Sequence, residues 1–136
     1  QRQMCIRDRT GVIRFTIVEE TGLRRGYRRV QAGLAGYAAD LSPEPLPLPF
    51  PRQILLDALG RYFAAAQVEA NWEAIGQMSD AALVTSLCMA CPFSPEEKQA
   101  LLEARDAAQR AQALRALLEI DAFDGGPGQD KTPKAS

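Results

Sequence analysis

Ser79-Asp80-Ala81-Ala82-Leu83-Val84-Thr85-Ser86-Leu87-Cys88-Met89-Ala90-Cys91 runs into Pro92-Phe93, and Ser94-Pro95-Glu96-Glu97-Lys98-Gln99-Ala100-Leu101-Leu102-Glu103 follows at once. In the first run Leu83, Val84, Leu87, Cys88 and Cys91 recur at the spacing of one helical face, with Ser79 or Asp80 placed to cap its first turn. Pro92 stops that helix, because it has no amide hydrogen and restricts the residue before it. Ser94 then offers a capping oxygen, Pro95 a preset φ at the first helical position and Glu97 the reciprocal carboxylate of a capping box. The stretch therefore predicts two helices joined by a tight break, which makes this end of the chain a helical bundle.

Working outward toward the carboxy terminus, Asp106 can cap a further helix whose stripe is Ala107, Ala111, Leu114 and Leu118, flanked by Leu117. From Asp121 to Ser136 the chain turns polar and glycine-rich, the composition of a flexible tail. Toward the amino terminus, Ile54, Leu55, Ala58, Leu59, Tyr62, Phe63 and Ala66 recur at helical spacing from Arg52 to about Gln67. A short helix is expected after Asn71, carrying Trp72 and Ile75 and ending near Met78.

Before these helices the pattern changes. Pro43, Pro45, Pro47, Pro49 and Pro51 exclude a helix or a central strand over residues 41–51 and predict a stiff, polyproline-like linker. Upstream, Val12-Ile13-Arg14-Phe15-Thr16-Ile17-Val18 alternates, with Ile13, Phe15 and Ile17 on one face, and predicts a half-buried strand. Glu19 to Gly26, with two glycines and four charges, is expected to be a solvated turn, after which Tyr27 to Ala32 resumes an extended pattern. An isolated hairpin buries too little to stand alone, so further strands are expected to precede it. Gln1 to Arg9 looks like a translated sequencing-adapter remnant, and a chain truncated at its start is the expectation; a native basic arm is the alternative.

The fold class expected is thus α+β. A β-hairpin over residues 10–40, the remnant of a sheet lobe, precedes a bundle of four to five helices over residues 52–120.

Composition sets bounds on function. Lys and Arg number 16 against 17 for Asp and Glu, so a net charge of -1 gives no global attraction to nucleic acid or an anionic membrane. The longest apolar run, Ala81 to Cys91, falls well short of the ~20 residues that span a bilayer. Cys88-Met89-Ala90-Cys91 suggests a redox pair or half a zinc site, yet the chain has 0 His and its third cysteine, Cys5, lies in the suspect opening segment. The pair also ends a helix instead of opening one, so buried core thiols are the expectation. A Ser or Cys nucleophile would need Lys98, Lys131 or Lys134 as its base, and no G-x-x-x-x-G-K-[ST] phosphate loop occurs. Arg24, Arg25, Arg28 and Arg29, with Tyr27 among them, form a basic cluster that suits either a solvated edge or a phosphate contact.

Taken in order and spacing, Asp80-Ala81-Ala82-Leu83-Val84 with Leu87, then Pro92-Phe93-Ser94-Pro95-Glu96-Glu97-Lys98-Gln99, then Leu101-Leu102-Glu103-Ala104 resembles the helical end of the Lon protease amino-terminal, substrate-binding domain. Gly11-Val12-Ile13-Arg14-Phe15-Thr16-Ile17 and Tyr27-Arg28-Arg29-Val30 extend the likeness over residues 10–120. It departs from the family in lacking the first part of the sheet lobe and in having Cys91 where an aliphatic residue is usual. The resemblance implies a PUA-like LON fold and a bacterial, cytoplasmic, stand-alone recognition module without the ATPase and protease domains. That module would be no enzyme, need no cofactor or metal, and bind unfolded or client proteins through exposed apolar surface in protein quality control, alongside a separate protease or ATPase. Tyr37, Leu46, Leu48 and Phe50, near the linker, are the candidate contact residues, with core packing as their competing role. A thiol redox enzyme centred on Cys88 and Cys91, or a weak nucleic-acid-binding module on the arginine cluster, stand as alternatives.

Overall fold

The structure, a computed structural model, describes residues 10–42 and 47–125. They form two compact units, divided between residues 44 and 45. The first holds an antiparallel hairpin and a 3₁₀ segment, the second five α-helices, an α+β composition.

In the first unit strand β1 covers Thr16–Arg24 and strand β2 Tyr27–Gly33. The segment expected as a solvated turn is mostly strand. Arg24 still pairs with Tyr27, and the reversal is made by Arg25 and Gly26 alone, at φ 52° and 81°. Positive φ at both central residues is the signature of a type I′ turn, whose twist matches that of the flanking strands. The charges of Glu19 and Glu20 are accommodated because both faces of the ribbon meet solvent, a position where polarity does not oppose a strand.

The start of the strand also differs from expectation. Val12 to Phe15 lies outside the ladder, and the Arg14 amide donates instead to Asp40 Oδ2 at 3.0 Å. The Arg14 guanidinium grips the same carboxylate with Nε to Oδ2 at 2.8 Å and Nη2 to Oδ1 at 2.7 Å, and lies 4.4 Å above the Tyr37 ring. Three charge-assisted bonds to one aspartate outweigh a frayed strand end. They tie this segment to the 3₁₀ segment Ala35–Leu41.

The second unit is built around one apolar core. Helix α1 covers Arg52–Ala66, α2 Trp72–Gln77, α3 Asp80–Ala90, α4 Pro95–Glu103 and α5 Ala107–Phe123. Helix α5 lies against α1 and also touches α3 and α4. Leu55, Ala58, Leu59 and Tyr62 of α1, Leu83, Val84 and Leu87 of α3, Leu101 of α4 and Ala111, Leu114 and Leu118 of α5 are all buried, with Cys91 and Phe93 between them. Every helix start after α1 is capped by a side chain, because each is preceded by a short polar residue free of helical φ/ψ. Asn71 accepts from the Ala74 amide, Ser79 from Ala82 and Asp106 from Gln109. Ser94 and Glu97 exchange both bonds of the expected capping box, at 3.2 and 2.8 Å.

Pro92 does end α3, and its predecessor Cys91 is extended at φ -65°, ψ 137°. The expected tail boundary at Asp121 lies too early: α5 continues through Phe123, and Asp121 is itself 5% exposed, one turn beyond Leu118 on the face that packs inward. Among the described residues no helix is long and apolar enough to cross a membrane.

Candidate functional site

Of the four residues singled out near the linker, the described ones divide between the two units. Tyr37 is buried beneath Arg14 in the first unit, while Leu48 and Phe50 are half-buried against the helical core of the second. Leu46 lies outside the described residues. Phe50 is further held by Arg115 of α5, whose guanidinium carbon stands 5.5 Å from the ring centroid. Tyr37, Leu48 and Phe50 thus have packing roles, the competing role named for them above.

Cys88 and Cys91 also belong to the core. Cys91 is 3% exposed, and burial pushes its thiol up to about 11, with the neighbouring Cys88 adding to the rise. Cys88 is raised as well, again chiefly by burial and against the pull of Arg110. Redox and nucleophilic thiols are activated in the opposite direction, by a lowered pKa. Beside Cys91, the Tyr62 hydroxyl is buried without a hydrogen-bond partner of acceptable geometry, and desolvation raises its pKa too. Among the described residues no group of three or more His, Cys, Asp or Glu side chains converges as a metal site.

Exposed apolar area collects on the hairpin. Ile17 pairs with Ala32, Glu20 with Val30 and Leu23 with Arg28, and paired residues share a face. That face therefore carries Ile17, Leu23, Val30 and Ala32, with Ile17 67%, Leu23 75% and Val30 36% exposed. Its two charges neutralise each other: Arg28 Nε and Nη2 donate to Glu20 at 2.7 and 3.0 Å, and the guanidinium holds the Glu20 carboxyl below the usual carboxylate range. The opposite face carries Thr16, Glu19, Arg24, Tyr27, Arg29 and Gln31.

Sequence alternation alone could not find this apolar face. Two bulges, between Ile17 and Glu19 and between Glu20 and Gly22, each place two residues of β1 against one of β2. The bulges return Leu23 to the side of Ile17, which strict alternation also does, but put Glu20 there in place of Glu19 and Thr21. The available signal was Arg25-Gly26 between Leu23-Arg24 and Tyr27-Arg28, a two-residue turn with glycine second.

Comparison with protein-family models, with curated proteins and with solved structures gives no match to the chain.

Proposed function

We propose that this chain is a non-catalytic, cytoplasmic protein-binding module that engages apolar segments of unfolded client proteins, the role implied by its resemblance to the Lon amino-terminal domain. The observation that supports this is the hairpin face of Ile17, Leu23, Val30 and Ala32, whose apolar side chains meet solvent around an internally neutralised Glu20–Arg28 pair. Such a face gains by covering, at about 25 cal/mol per Å² of apolar area removed from water. A ribbon with two strands also has outer backbone N–H and C=O groups along both edges. An extended client segment can add to such an edge as a further strand while its alternate side chains meet the apolar face. Folded proteins keep such segments inside, which gives selectivity for unfolded chains. A separate ATPase or protease would act on the bound client.

The test is the affinity of the chain for a reduced, alkylated protein held unfolded, compared with the same protein in its native form. Preferential binding of the unfolded form is expected, weakened about tenfold or more by Leu23→Ser combined with Ile17→Ser, since each side chain gives up on the order of 1 kcal/mol of burial. Equal affinity for both forms would remove the reading.

A further inference from the structure

The second face of the hairpin carries a pattern that client binding does not use. Arg24 and Tyr27 stand opposite each other on the last rung before the turn, and Arg29 lies two residues along β2 from Tyr27 on the same side. Opposite Arg29 is Gly22, at φ 91°, with no atom within 4 Å of where a Cβ would stand, so space is left open beside the guanidinium. Tyr27 is 75% exposed and makes no ring contact with another described aromatic. Arg25 occupies the turn itself.

Of the four arginines, Arg28 is committed to Glu20 on the other face. The guanidiniums of Arg24, Arg25 and Arg29 have no ion pair or hydrogen bond with any described residue. The nearest acid on their face, Glu19, is paired with Gln31, one rung beyond Arg29. The tip is therefore locally cationic in a chain whose net charge is -1. An acidic peptide would need only the charges. An exposed phenol ring on a face that also carries two arginines adds a flat π surface to the cations, the recognition chemistry of a nucleobase.

We infer that the hairpin tip binds single-stranded nucleic acid, with one base stacked on Tyr27 and flanking phosphates on Arg24, Arg25 and Arg29. Three cations make this a short and salt-sensitive site. Contacts to three phosphates predict a slope of about 2 in log Kd against log salt concentration, at roughly 0.7 per phosphate for a single strand. Base identity matters little, because every base has a face to stack.

The experiment is fluorescence anisotropy of the full chain with a short labelled oligothymidylate, with labelled polyglutamate of equal charge as the competing class. Tyr27→Ala should weaken oligothymidylate binding about tenfold or more, while Tyr27→Phe keeps the ring and the affinity. Arg24→Gln with Arg29→Gln should weaken binding and reduce the salt slope by the two contacts removed. Circular dichroism identical to the parent establishes that each variant is folded, and the exposure of all three positions favours that. Absence of saturable oligothymidylate binding, equal affinity for polyglutamate, or a Tyr27→Ala variant as tight as the parent would each overturn the inference. None of these outcomes bears on client binding, which uses the other face.

Discussion

Tyr62 is the residue at which packing and polarity conflict. Its ring packs against Phe63 and Phe93, with centroids 5.8 and 6.3 Å away, while its hydroxyl is buried beside the Cys91 thiol, a weak partner, with no well-formed hydrogen bond. An unpaired buried hydroxyl costs about 1–3 kcal/mol, whereas the ring contacts do not need it. Tyr62→Phe is therefore expected to stabilise the chain by about 1 kcal/mol, read as a higher urea midpoint at unchanged m-value. The neighbouring thiols give a pH dependence of definite sign. Cys88 and Cys91 have raised pKa values, so the unfolded chain releases their protons first as pH rises. Their contribution is fully present below the ordinary thiol range and declines above it, that of Cys91 being lost as pH climbs through about 11. Between the ordinary thiol range and about 11, Cys91 should lower stability by on the order of 1 kcal/mol per pH unit, and Cys91→Ala should flatten the decline in a denaturation series. Thiol reagents should react with Cys91 only after denaturation. Fast labelling of the native chain would instead favour the redox alternative.

Helix ends and the hairpin turn show how much of this fold is local chemistry. The Ser94–Glu97 box satisfies two otherwise unpaired amides at the start of α4, and Ser94→Ala should cost about 1 kcal/mol of stability. At the other end of α1, Gln67 closes the helix at φ 54°, the left-handed region where a side chain is crowded. Gln67→Gly is expected to stabilise by a few tenths to about 1 kcal/mol, measured as a shift in thermal midpoint. The hairpin responds in the opposite direction. Gly26→Val would force a β-branched residue to φ 81°, and strand pairing next to Arg24 and Tyr27 should be lost first, visible as faster amide exchange along β1 and β2 with α1 to α5 unaffected. Between elements, the Arg52 guanidinium bonds the Asp80 carboxylate at the head of α3 and the Ile75 carbonyl of α2 at 2.8 Å, so one side chain at the start of α1 fixes two other helices. Arg52→Met keeps the apolar stem but leaves those acceptors without it.

On the scale of the molecule, the core residues of the helical unit all lie between Leu48 and Ala122. A chain of residues 47–125 alone is therefore expected to retain its helical signal and a cooperative thermal transition; a broad, non-cooperative melt would show that the core needs more than its own residues. The five helices and their caps were legible in the sequence, because a 3.6-residue apolar period, Pro92, and the cap residues Asn71, Ser79, Ser94 and Asp106 act within one or two turns of chain. The hairpin was legible as two extended runs joined by a turn, expected over residues 19–26 and made by Arg25 and Gly26 alone. Its bulges and the start of β1 depend on pairing across the ribbon and on the reach of Arg14 to Asp40, 26 residues away, and no short-range pattern encodes them. The candidate surface divided in the same way. Apolar residues near the linker could be named, but whether each is covered is set by what packs over it: Arg14 covers Tyr37, and the helical core covers much of Leu48 and Phe50. Sequence by itself determined the α+β order and the helix boundaries to within a few residues, since these follow from residue identity and local spacing. Tertiary structure decided, among the described residues, which apolar side chains stay in water and which arginines find an acid, because burial and ion pairing are properties of neighbours brought together only by folding.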